Sequence, residues 1–86
     1  MEYCIVCGKP KDDTHHLVFG TANRKLSDED NLVVPLCRQH HEFMHQNATI
    51  SKMVGQLMYE RDKCAAGYSV DAARESFRLR YGKSYL

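Results

Sequence analysis

No stretch of this 86-residue chain approaches 18 consecutive apolar residues, which argues against a membrane-spanning helix. An apolar leader is missing too: between Met1 and Lys11 only Tyr3, Cys4, Ile5 and Val6 run together. No export signal is therefore expected, and a reducing cytoplasm is the expected compartment. A net excess of either charge is missing as well. The formal net charge is +1, made of −2 over residues 1–47 and +3 over residues 48–86. A nearly neutral chain is a poor passive coat for DNA, whose binding would rest on many phosphate contacts. It suits a site where a metal ion carries much of the local positive charge. Repeats, linkers and low-complexity segments are absent, so residues 1–86 are expected to form one domain. A chain this short buries only about 60% of its unfolded surface, and a staple is expected to supplement its core.

Four cysteines supply that staple. Without an export signal they point to metal rather than disulfides. Cys4-Ile5-Val6-Cys7-Gly8 has the form of a metal knuckle, with the glycine letting the backbone turn toward an ion. The segment Cys37-Arg38-Gln39-His40-His41 follows after 29 intervening residues and supplies a second half-site. Cys4, Cys7, Cys37 and one histidine then make a tetrahedral Cys3His zinc site. Either His40 or His41 is the fourth ligand; neighbours on a helix point about 100° apart, and the two-residue gap favours His40. Cys64 has no partner and is expected to be a buried small hydrophobe.

Between the half-sites, Thr14 to Phe19 reads as a short strand and Gly20 to Asn31 as a polar loop. Leu32 to Leu36 reads as a second strand, with Pro35 at an edge or strand end. Cys37 to His45 is compatible with helix. Ile50, Met53, Val54, Leu57 and Met58 then recur at helical spacing as an apolar stripe, with Thr49 as cap. Ser69 caps a last helix with Val70, Ala73, Phe77 and Tyr81 on one face and Gly82 closing it. The fold class predicted is α+β: a zinc-stapled strand–strand–helix core over 1–47 and two further helices over 48–86.

Every histidine lies between residues 15 and 45. His41 and His45 are i, i+4 on a helix and can share a metal. His15 and His16 are neighbours on a strand, so their rings point to opposite sides and need different tasks. One can complete a three-ligand metal site with an open position; the other can stand beside it as a base.

Cys-x2-Cys, Thr-His-His-Leu-Val, Asn-Leu-Val-Val-Pro-Leu-Cys-Arg-Gln-His-His and a further His together resemble a phage-type HNH (His-Me finger) endonuclease over residues 4–45. The ending Tyr-Gly-Lys-Ser-Tyr-Leu also resembles the close of small phage-encoded proteins of this kind. The resemblance implies a ββα-metal core and metal-dependent hydrolysis of DNA phosphodiesters by one ion and a histidine base. It makes His16 that base and His15, His41 and His45 the ligands of the catalytic ion. Asn31 would tie the loop back to the strand, or is simply a strand-start asparagine. Many members carry Asp where His15 stands; an all-histidine set is softer and more tolerant of Mn²⁺, Ni²⁺ or Zn²⁺ beside Mg²⁺.

Arg38 is placed to stabilise transition-state charge, and Arg24 and Lys25 to reach flanking phosphates. Arg74 and Arg78, i and i+4 on the last helix, can track a DNA backbone, with Arg80 off their face; all equally suit a solvated charged surface. The partners implied are DNA, a second copy of the chain as a homodimer, and phage packaging or recombination proteins in a bacterial host. The rival reading is a catalytically inactive, zinc-stapled module that binds nucleic acid or protein.

Overall fold

The computed structural model describes residues 2–86. Two short strands, β1 (Asp13–His16) and β2 (Val33–Leu36), pair antiparallel with His15 opposite Val34 and His16 opposite Val33. Between them lies a helix, α1 (Asn23–Glu29), and after them come α2 (Arg38–Gln46), α3 (Ala48–Ala65) and α4 (Val70–Tyr81). Among the described residues the chain is a small α+β protein of four helices and one two-stranded sheet. No helix among the described residues is long and apolar enough to cross a membrane.

The helix α1 corrects the expectation of a loop over 20–31. Its sequence is polar because it buries almost nothing except Ser27 and part of Leu26. Two turns of helix with one inward side chain give no periodicity to read. Ser27 anchors it: the hydroxyl donates to the Val18 carbonyl at 2.6 Å, and the Ser27 carbonyl accepts from the Leu32 amide. Asn31, with φ of 57°, turns the chain from α1 into β2. Asparagine tolerates this left-handed conformation better than most residues.

Around the sheet the core falls into two groups. Cys4, Leu17, Val34, Leu36 and Cys37 pack with Met44, Val54 and Met58. Val18, Leu32, Tyr59, Phe77 and Tyr81 pack with Leu26, Met58 and Tyr85, joining α3 and α4 to the strand end. The last helix begins and ends as its sequence predicts. Ser69 accepts from the Ala72 amide, and Gly82 closes the helix in the left-handed conformation. Val70, however, is exposed rather than on the inner face with Ala73, Phe77 and Tyr81.

The inward face of α3 differs from the apolar stripe. Its buried residues are Ser51, Gly55, Gln56, Tyr59 and Glu60, while Ile50 and Leu57 face solvent and Met53, Val54 and Met58 lie between. The reason is close approach. A Cβ built on Gly55 would stand 2.6 Å from Val18 Cγ2 and 3.0 Å from Leu17 Cβ, so the helix backbone rests directly on the strand end. The buried polar groups on this face are all bonded. Gln56 donates to Glu60 and Ser84 and accepts from the Tyr85 amide, and Glu60 accepts from Arg74. Residue Asn47, not Thr49, stands before α3. Cys64 is exposed, correcting its expected burial; it lies near the end of α3.

Candidate metal centres

Residues 4–8 form a tight knuckle. The Cys4 amide donates to Lys9 and the Gly8 amide to Cys4, with Gly8 at a φ of 76° that favours glycine. The knuckle is fastened to β2 through the Ile5 amide and the Pro35 carbonyl, 3.0 Å. Asp12 Oδ2 meanwhile accepts from the Arg38 amide at 2.7 Å, serving the first turn of α2 in place of Cys37, whose side chain is turned to the knuckle.

These bonds bring Cys4, Cys7, Cys37 and His40 into one cluster, all donor atoms within 4.8 Å of one another. Cys7 Sγ lies 3.8 Å from Cys37 Sγ, and His40 Nδ1 lies 3.6 Å from Cys4 Sγ and 3.3 Å from Cys37 Sγ. A tetrahedral zinc with bonds of about 2.3 Å to sulfur and 2.0 Å to nitrogen separates its ligands by about 3.8 Å (S to S) and 3.5 Å (S to N). The donor set fits zinc in kind and in spacing, and it is His40, not His41, that joins it. Burial pushes the Cys4 thiol up, but backbone bonds near Cys37, Cys7 and Val6 outweigh it and bring the group down to about 6. A thiol so poised is ready to ligate as thiolate.

A second cluster lies one turn along α2. His15, His41 and His45 bring their ring nitrogens within 4.8 Å of one another, with His41 Nε2 and His45 Nε2 only 3.1 Å apart. His15 is 2% exposed, and its Nε2 lies 2.8 Å from Ser51 Oγ. Ser51 has one hydroxyl proton, and that proton goes to the Leu17 carbonyl, 2.7 Å away. Ser51 therefore accepts from His15 Nε2–H, so the nitrogen left with a lone pair is Nδ1. On the other side Asp13 Oδ2 lies 3.3 Å from His41 Nδ1, which favours the proton there and leaves Nε2 toward His45. Burial, then the neighbouring His41, His45 and His16, hold His15 down at about 4, so it is neutral at pH 7. Outer partners thus favour one tautomer in two of the three imidazoles, as they do for metal-binding histidines, and in His41 that tautomer turns the lone pair toward His45.

The cluster opens into a pocket of about 230 Å³ lined by Asp13, Thr14, His15, His16, Phe19, Arg24, His41 and His45. His16, the last residue of β1, shares this wall. Its Nε2 lies 3.4 Å from Asp28 Oδ1. Arg24 and Lys25 border an adjoining hollow with His16, Thr21 and Asp28.

The other residues singled out in the sequence stand elsewhere. Arg38 sits at the start of α2 beside the cysteine cluster and does not line the histidine pocket. Asn31 is exposed and its side chain has no hydrogen bond among the described residues; Ser27 fastens that loop to the strand instead. Arg74 and Arg78 are paired with Glu60 and Glu75, and Arg80 with Glu29 and Asp30, away from the histidines. Ser51, Asp13 and Asp28 are absent from the sequence-based set. Ser51 and Gly55 are small residues four apart on one helix, a spacing that marks a close-packed face.

A profile of the family described as "Protein of unknown function (DUF968)" matches residues 1–59. The chain belongs to this family. The DUF968 match ends at Tyr59, so it takes in both clusters together with Ser51 and Gly55. One relative is "Uncharacterized protein YdfU" of Escherichia coli (strain K12), 44% identical over 43 residues. That alignment covers 49% of this chain and 12% of the relative, so the chain matches a small part of a much longer protein. No solved structure matches the chain.

Proposed function

We propose that the protein is a metal-dependent DNA endonuclease in which β1, β2 and α2 form a ββα-metal core stapled by zinc at Cys4, Cys7, Cys37 and His40. The observation that carries this reading is the second cluster: His15, His41 and His45 converge with tautomers favoured by Ser51 and Asp13, and His16 shares their pocket.

The three histidines would hold one divalent ion beside the pocket. When bound, such an ion would supply Lewis acidity and offset negative charge building on the phosphate. The chain's own groups do the rest. Asp28 beside Nε2 favours the proton on that nitrogen of His16, leaving Nδ1 to accept one from water. The oxygen of that water forms a bond to phosphorus as the opposite P–O bond breaks. The departing alkoxide takes a proton from solvent. Arg24, on the pocket wall, is better placed than Arg38 to offset charge on the phosphate.

The test incubates zinc-loaded protein with plasmid and short duplexes in Mg²⁺, Mn²⁺, Ni²⁺ and Zn²⁺. Metal-stimulated cleavage is expected, and His16→Ala is expected to abolish it while retaining fold, zinc and DNA binding. No cleavage by the wild type in any of these metals, or undiminished cleavage by His16→Ala, overturns the reading. The inactive interaction module would then stand in its place.

A further inference from the structure

Beyond the histidine pocket, on the side of Phe19, lies a cation, Lys52, that has no carboxylate within 4 Å among the described residues. The Phe19 ring packs 4.8 Å from the His45 ring and 5.6 Å from the His15 ring, forming a wall of the pocket. Lys52 Nζ stands 5.2 Å from the centre of that ring and 5.6 Å from the centre of Tyr85. Lys83 Nζ stands 5.1 Å from the centre of the same Tyr85 ring. Tyr85 is itself fixed, since its amide donates to Gln56 Oε1 at 2.7 Å. An aromatic face steadies an ammonium without cancelling its charge.

The distribution of ion pairs sharpens the contrast. On α4, Arg74, Arg78 and Arg80 are each pinned to a carboxylate. Among the described residues, neither Lys52 nor Lys83 has a carboxylate within 4 Å, and neither do Arg24 and Lys25 at the His16 end of the pocket. Unneutralised cations therefore flank the histidines at both ends. From the ring separations, the Lys52 ammonium lies no farther than about 10 Å from the His45 ring. Successive phosphates of one DNA strand advance only about 3.4 Å along the helix axis, so this reach covers a neighbouring phosphate.

We propose that Phe19, Lys52, Tyr85 and Lys83 form a track for the DNA backbone on one side of the histidine pocket, with Lys52 contacting a phosphate next to the one at the histidines. This rests on the nuclease reading for the position of that central phosphate, and it names the residues that seat the substrate beside it. The plain alternative is that Lys52 merely staples Tyr85 to the fold.

Salt dependence separates the two, because each phosphate contact contributes about 0.9 to the slope of log affinity against log salt. Binding of a labelled short DNA duplex is measured by anisotropy in zinc-loaded, otherwise metal-free buffer for the wild type, Lys52→Gln, Lys52→Arg, Lys83→Gln and, as control, Arg61→Gln, whose guanidinium is paired with Asp62. Lys52→Gln is expected to lower the slope by about one and raise Kd about threefold to tenfold. Lys83→Gln is expected to do the same to a smaller degree, Lys52→Arg to retain the slope, and Arg61→Gln to leave it unchanged. A slope unmoved in Lys52→Gln, whether or not its melting temperature falls, overturns the track, as does a wild type that does not bind the duplex. Plasmid cleavage run in parallel keeps the two readings apart. Lys52-dependent binding without cleavage upholds the track and sinks the nuclease, whereas cleavage with an unmoved slope does the reverse.

Discussion

Ser51 holds His15 in one tautomer: its hydroxyl accepts from Nε2 at 2.8 Å because its own proton is committed to the Leu17 carbonyl at 2.7 Å. A serine on α3, 36 residues from the histidine it serves, thereby decides which ring nitrogen is left free.

Replacing Ser51 by alanine is expected to free the His15 ring and weaken divalent binding at the histidines by about 10-fold to 100-fold, the usual cost of losing an outer partner. The zinc content of the cysteine cluster should stay at one ion per chain. Calorimetric titration of the zinc-loaded variant with Mn²⁺ or Ni²⁺ checks both.

Gly55→Ala reverses the ordinary rule that alanine strengthens a helix by about 1 kcal/mol over glycine. The added methyl meets Val18 and Leu17 at 2.6 and 3.0 Å, and overpacking of this kind costs about 1–3 kcal/mol. Denaturant unfolding of the zinc-loaded protein is expected to show a loss in that range. Because α3 must lift from the strand end, metal binding at the histidines is expected to weaken as well.

Zinc removal is expected to cost the fold. Structural zinc contributes about 10–16 kcal/mol in small zinc domains, which matches or exceeds the whole stability of a typical domain. Chelation, or Cys37→Ser, should abolish the cooperative thermal transition followed by circular dichroism. A chelated protein that still melts cooperatively would show that the two apolar groups suffice alone.

Alkaline pH tests Tyr81. Burial, then the hydrogen bond its hydroxyl donates to Asp30 at 2.6 Å, push this phenol well above its ordinary value of 10. A group whose pKa is higher folded than unfolded stabilises fully below the unfolded value and loses that contribution as pH rises beyond it. Stability is therefore expected to hold from pH 7 to 9 as far as Tyr81 is concerned and to decline above 10. Tyr81→Phe should lower the neutral-pH stability by about 1 kcal/mol and flatten the decline. Unfolding curves across pH for both proteins read this out.

The cysteine cluster was legible because ligand spacing is local: Cys4 with Cys7 and Cys37 with His40 are each separated by two intervening residues, and only their meeting is tertiary. The pair His41 and His45 was legible for the same reason, by helical periodicity, and so were the Ser69 and Gly82 ends of α4. What escaped was set by close approach. Nothing in the apolar stripe of α3 announces that Gly55 turns a neighbouring face inward, burying Ser51 and Gln56 in place of Ile50 and Leu57. Helix α1 escaped because it buries one serine, and the pairing of Arg74 and Arg78 with Glu60 and Glu75 because ion pairs have no signature in composition. Nothing in the sequence around Lys52 signals that the Phe19 and Tyr85 rings lie beside it.

Helix α2 carries His40 to one cluster and, on the very next residue, His41 to the other. The two sites thus share a single lever. Anything that fixes the rotation of this helix at His40 also aims His41 and His45. On the two-ion reading proposed above, an ion at the thiolates would lower the ordering entropy owed at the imidazoles, and linkage of this kind would run both ways. Loss of the first ion would then weaken the second site without touching a single one of its ligands.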